Sequence, residues 1–244
     1  MKITGFLSGA LLCLAFGLAA QEQKEVPVAQ EPSHHKVFEN SYVRVFRVRI
    51  DANKSSLLHR HDLDYTYVSL GPADVINAVV GKPEVHPKFV DGQVGFAKGG
   101  FAHIATAVGM PFNNVTIEFL HPQGASHNLC AKVIASESLG ECAGSLDAKA
   151  EFSVQPQFET DEARVEIVQL GGGVVHTESE RVPSLLIGLG DSRVQAKGRT
   201  DEKTLGEGEF FWSGDASETI LQNPSGKPAR LLQIIFKDTR ARTR

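Results

Sequence analysis

Residues 44–71 read RVFRVRIDANKSSLLHRHDLDYTYVSLG, and residues 164–190 read RVEIVQLGGGVVHTESERVPSLLIGLG. Laid over one another, the two stretches put His176 opposite His59 and Gly190 opposite Gly71. In the first, Phe46, Val48 and Ile50 alternate with Arg47 and Arg49. Successive side chains of a strand point to opposite faces, so this period of two predicts a strand with one buried face. A second echo closes each half, NNVTIEFLHP at 113–122 and ARLLQIIFK at 229–237. Two similar β domains are therefore expected, over residues 33–122 and 151–238. The connector between them, 123–150, is rich in Gly, Ala and Ser.

Working outward, short strands are expected at Tyr65–Leu70, Ala73–Val80, His103–Val108 and Val115–Leu120, set between Gly, Pro, Asn and Asp turns. The 23 glycines, 11 prolines and 41% hydrophobic content fit a chain of strands and tight turns with one large core or two smaller ones. A formal charge of -4, with no basic cluster interleaved with aromatics, gives no footprint for nucleic acid. The first 20 residues, MKITGFLSGALLCLAFGLAA, carry one lysine, an apolar run and small residues before the polar QEQKE. That pattern predicts an export signal removed to leave Gln21 first, a periplasmic or secreted location, and no membrane association afterwards. Loss of the leader takes Cys13 with it, leaving Cys130 and Cys142, which an oxidising compartment would pair. The basic tail KDTRARTR is expected to fray.

The chemistry concentrates in LLHRHDLDYTYVSLG, residues 57–71. Read as one strand, it turns His59, His61, Leu63, Tyr65 and Tyr67 to the same side. Two imidazoles at i, i+2 can reach one ion, and a third ligand must come from another strand, with His86, His103, His121 and His127 as candidates. His103 stands out because GQVGFAKGGFAH, residues 92–103, delivers it from a glycine turn. His34, His35, His86, His121 and His127 have no partner at ligand spacing and are read as structural or solvent-facing.

At this point the sequence resembles the cupin superfamily, whose two motifs run G-x5-H-x-H-x3/4-E-x6-G and G-x5-P-x-G-x2-H-x3-N. His59, His61 and Gly71 match the first, with Asn53 in place of its opening glycine. Gly92, Gly100 and His103 match the second, with Lys98 in place of proline and Ala107 in place of asparagine. The resemblance implies an all-β chain of two jelly-roll type barrels in tandem, with a divalent metal (zinc, iron, manganese, nickel or copper) on His59, His61 and His103 of the first. The slot of the family's glutamate holds Tyr65, with Asp64 beside it, and either could complete the site or act as proton donor or acceptor. In the second half Glu178 and Ser217 stand at the equivalents of His61 and His103, which leaves that barrel without a metal set. The resemblance implies a small-molecule partner, while homo-oligomerisation stays open. Two functions follow, a metal-dependent enzyme such as an oxygenase or isomerase, or a non-catalytic exported binding or scaffold protein. An open cavity beside the histidines would favour the first, and one filled by Phe96 and Phe101 the second.

Overall fold

The computed structural model describes residues 24–127, 132–133, 146, 149–178, 182–190, 193–198, 201–214 and 218–237. The expected leader, the Cys130 to Cys142 pairing, Ser217 and most of the basic tail lie outside the described residues.

The first half forms two facing sheets. One has five strands, in the order Val26–Pro27, His59–His61, Phe101–Ala107, Ala73–Val79 and Lys88–Phe89. The other has six, in the order Lys132–Val133, Val94–Ala97, Tyr65–Ser69, Phe112–Phe119, Val43–Ile50 and His34–Glu39. The second half repeats the plan with a six-stranded sheet centred on Ala163–Leu170 and Ala229–Phe236, and a four-stranded sheet holding Val175–Glu178 and Thr219–Gln222. The connector adds a strand to each half, because Lys132–Val133 pairs with Val94–Ala97 while Ser126–His127 pairs with Phe152–Thr160. The first barrel also begins earlier than residue 33, since Val26 lies beside His59 in a parallel pair.

Three apolar clusters divide the molecule. Phe46, Val48, Ile50, Tyr65 and Tyr67 belong to the interior of the first barrel, and Val168, Leu170, Leu186, Leu221 and Leu231 to that of the second. The third lies between the barrels, where Val45, Val68, Phe96, Ile117 and Phe119 meet Phe158, Val165, Ile187, Leu232 and Phe236. The two six-stranded sheets are thus apolar on both faces, one turned to a barrel interior and one to the other barrel. This corrects the single buried face expected for residues 42–50, because Val43 and Val45 are fully buried on the opposite side from Phe46. Double burial also accounts for the unbroken run of buried residues in Tyr65–Ser69, which strict alternation would not give. Phe96 packs against Phe158 across the seam with ring centroids 4.8 Å apart, and truncating such a side chain to alanine costs about 3–5 kcal/mol.

The motif glycines sit where the backbone needs them. Gly71, Gly92 and Gly100 all have positive φ. Asn53, where the first motif has glycine, takes the same left-handed conformation at φ 59°, and among the described residues no other non-glycine does so. Asparagine tolerates this region better than most side chains, so the substitution keeps the turn. Gly99 is needed for another reason: a Cβ there would lie 2.5 Å from the Asp62 carbonyl oxygen. That close approach marks where the chain leaves one sheet for the other.

Candidate metal centre

The crossing after His61 changes how the site is built. Residues 59–67 do not form one strand: His59–His61 lies in the five-stranded sheet and Tyr65–Ser69 in the six-stranded sheet. His59, His61, Tyr65 and Tyr67 still converge, because the two sheets face each other across the barrel, whereas Leu63 does not reach the cavity. His103 is delivered by Phe101–Ala107, directly cross-strand from His59. The rings of His59 and His103 are 4.4 Å apart, and those of His61 and His103 are 5.3 Å apart.

A fourth imidazole joins them. His34 is buried, with its ring 4.8 Å from that of His59 and 6.0 Å from that of His61. One nitrogen from each of His34, His59 and His61 lies within 4.8 Å of the other two. This corrects the reading of His34 as structural or solvent-facing. The signal was in the hairpin formed by His34–Glu39 and Val43–Ile50, where His34 pairs with Val48, an inward position. A bulge between Lys36 and Phe38 decides the matter. Without the extra residue, the register counted back from the turn would set His35 opposite Val48 and turn that ring inward instead.

Each of three rings is held by its Nδ1. His59 Nδ1 donates to the Leu57 carbonyl at 2.9 Å, His103 Nδ1 to Asn77 Oδ1 at 2.6 Å, and His34 Nδ1 to Glu31 Oε2 at 2.6 Å. Neutral imidazoles with Nδ1 protonated carry their lone pair on Nε2. Both His59 Nε2 and His103 Nε2 are buried without a hydrogen-bond partner, a costly state for a polar atom unless something binds there. Outer groups fixing the tautomer of ligating histidines are the usual companion of a metal site. Glu31 is itself braced, accepting from the Ser33 and Leu57 amides. His61 is the exception: its Nδ1 is buried and unpaired, with Glu118 Oε1 4.0 Å away.

Burial keeps the rings of His59, His61 and His103 neutral. It pushes His59 down to about 4, with the neighbouring His34 adding to the effect, and holds His61 and His103 well below the usual histidine range. Neutral imidazole is the form that ligates. The carboxyl of Glu31 is raised by burial, but its hydrogen bond to His34 and that ring's charge outweigh this and leave it below its ordinary value. For Glu118 burial wins over the Arg44 guanidinium 3.0 Å away, and the carboxyl is raised.

Of the two expected companions of the metal, Tyr65 lines the cavity and Asp64 does not. Tyr65 stacks on His61 at 4.1 Å, and its hydroxyl is buried without a partner. Burial drives its pKa well above 10, so it stays a phenol that can donate a proton but not a phenolate ligand. Asp64 is not turned inward by a bulge. Its carboxylate accepts from Lys98 Nζ at 3.0 Å and from the Gly99 amide at 3.0 Å, so it buttresses the glycine turn that carries His103. Lys98, the replacement for the motif proline, is the cation of that brace.

The cavity beside the histidines holds about 50 Å³ of solvent space, room for a few water-sized groups. Phe96 does not fill it, since it faces the seam between barrels, and Phe101 is only half-buried, 6.0 Å from His61.

No family model matches the sequence, and comparison with curated proteins returns no match. Solved structures are similar in shape. AerE from Microcystis aeruginosa superposes with TM-score 0.61 at 10% identity, covering 85% of this chain and 99% of its own. A cupin 2 conserved barrel domain protein from Leptotrichia buccalis gives 0.54 at 9%, covering 84% and 88%. The fold is the cupin fold, built twice. A mutant oxalate decarboxylase from Bacillus subtilis, at TM-score 0.57 and 10% identity, covers 84% of this chain and 75% of its own.

In the second cupin barrel the positions of the site are occupied differently. Cross-strand from His176 stands Leu221, fully buried, so Leu221 and not Ser217 is the counterpart of His103. His176 itself stacks on Phe152 at 3.6 Å and lies 3.4 Å from Glu178.

Proposed function

We propose that the first barrel holds one divalent metal ion on His34, His59, His61 and His103, and that the exported protein uses it on a small molecule bound in the adjoining cavity. The observation that carries this is the pair of buried, unpartnered Nε2 atoms on His59 and His103, each on a ring whose other nitrogen is anchored. The His34, His59 and His61 nitrogens, each within 4.8 Å of the other two, would draw closer around an ion, and an ion of coordination number above four would keep a position for a ligand. Four imidazoles suit several transition metals, zinc, iron, manganese, nickel and copper among them.

Bound there, the ion would supply Lewis acidity, polarising a ligand oxygen or activating water or dioxygen. The chain supplies the rest. Asn77, Glu31 and the Leu57 carbonyl hold the rings in position, Tyr65 presents a proton beside His61, and the apolar wall excludes water. The open cavity supports an enzyme over a scaffold, and the oxalate decarboxylase neighbour shows that this fold carries small-molecule chemistry.

The test is metal content after reconstitution with zinc, cobalt, iron or manganese. One ion per chain is expected in the parent and in His176→Ala. Affinity should fall by about a hundredfold or more in His59→Ala and His103→Ala, each removing roughly a quarter of a binding free energy of about 10–16 kcal/mol. Undiminished metal in both, or its loss in His176→Ala, would move the site elsewhere.

A further inference from the structure

The cavity has a composition as well as a volume. Among the residues that line it there is no Lys, Arg, Asp or Glu. Its unpaired buried polar atoms outside the histidines are donors: Asn77 Nδ2, left over after Oδ1 accepts from His103, and the Tyr65 hydroxyl. Thr116 donates its hydroxyl proton to Asn114 Oδ1 at 2.8 Å. Tyr67 and apolar side chains form the rest of the lining. Phe89 and Phe112 stack at 5.1 Å and 13°, with the Tyr67 ring against Phe89 edge-on at 5.7 Å.

The polar and apolar parts are ordered along the barrel. In Phe112–Phe119, residues 112, 114, 116 and 118 face inward; Glu118 is the one near His61, and Phe112 is at the far end. At about 3.3 Å per residue, Phe112 and Thr116 are about 13 Å apart along the strand. The interior therefore runs from imidazoles and donors to an aromatic end wall. A dication ringed by neutral imidazoles favours an anionic oxygen donor, and the two free donors want acceptors. Nothing cationic lies further in to hold a second charge, and a carboxylate buried there unpaired would cost several kcal/mol.

Building on the metal reading above, we infer that the site takes short monocarboxylates, one carboxylate at the ion and the Asn77 and Tyr65 donors, a brief apolar tail against the wall, with the Phe89–Phe112 pair setting the length limit. Solvent space of about 50 Å³ corresponds to three to five water-sized groups, the size of acetate and propionate and too little for octanoate.

The experiment uses the full chain loaded with cobalt(II), whose absorption spectrum changes when an anion displaces bound water. Metal content is measured on the same sample. Acetate and propionate should bind, with octanoate and succinate at least tenfold weaker. Phe112→Ala should extend the limit to longer chains, and Phe112→Leu, a gentler change, should extend it partway. Asn77→Leu should weaken every carboxylate alike. Succinate or octanoate binding as well as propionate to cobalt-loaded protein would overturn the inference while leaving the metal reading intact. So would a length limit unmoved in a folded Phe112→Leu protein. Failure to take up cobalt at all would overturn the metal reading, and this inference with it.

Discussion

Where the first barrel carries Asn114, cross-strand from Val48, the second carries Leu231, cross-strand from Val168. Where the first has Tyr67, in the strand next to that one, the second has Leu186, and where the first has His103 the second has Leu221. Two barrels with one strand plan have thus filled their interiors in opposite ways. The second gathers buried leucine and valine where the first has histidine, tyrosine and asparagine, while the first keeps a cavity beside its histidines. The outer faces of both are apolar because each is the other's partner across the seam. A barrel whose interior is given over to a site is short of core, and a filled neighbour welded to it supplies what is missing. The second barrel's contribution to function is read here as support.

Exchanging residues between the two barrels is the most direct way to break that comparison. Leu231→Asn should cost about 3–6 kcal/mol, combining the loss of a buried leucine side chain with an unpaired amide. The reciprocal Asn114→Leu should cost less, about 1–3 kcal/mol in denaturant unfolding, because it strips Thr116 of its acceptor while adding apolar volume beside a cavity, and it should leave metal content unchanged. Equal costs for the two exchanges would mean that the barrels are packed alike.

Acid should separate the barrels next. His59 titrates near 4 in the fold and near 6.5 when unfolded, and burial holds His61 and His103 well below the usual histidine range too. Between those values the unfolded chain binds more protons, so stability rises with pH across the window and is fully present above about 6.5. Metal-free protein should therefore lose stability from pH 6.5 down to about 4, with His59 alone accounting for about 3 kcal/mol. Glu31, whose folded pKa is lowered, acts in the same direction below its unfolded value of 4.5. Replacing His59 with glutamine should flatten the profile, which chemical denaturation at a series of pH values would measure. The smallest of these effects concerns Glu31→Gln, which keeps the hydrogen bond to His34 but removes its charge. It should weaken metal binding by about 10–100-fold with little change in fold, as outer-sphere substitutions do.

The repeat of residues 44–71 in 164–190, and the glycines bracketing both motifs, made the tandem barrels legible in the sequence. Three of the four clustered histidines were legible too, because H-x-H and the Gly100 to His103 spacing are local patterns. His34 was not. Its inward face depends on a bulge in an edge hairpin, and a one-residue register shift cannot be read from alternation in so short and polar a strand as HHKVFE. The double-faced burial of the large sheets was hidden for a related reason. Alternation shows that a face is apolar, but not that the arginines further along the same strand stand clear of a partner covering its first residues. The metal-facing role considered for Asp64 failed on its neighbours: Lys98 and the Gly99 amide, distant in sequence by more than 30 residues, claim the carboxylate first.

Among the described residues, His34 sits on a strand that ends its sheet, paired on one side only, with Val43–Ile50. Edge strands open locally at far lower cost than the whole fold. The cluster can thus lose one imidazole by fraying, without the two barrels parting, and the rate at which an ion enters or leaves becomes a property of that hairpin. Metal release should then keep pace with hydrogen exchange at the His34 to Glu39 amides, and a substitution that loosens the bulge, such as Val37→Gly, should speed both together. Release far slower than those amides exchange would mean the ion leaves by another door.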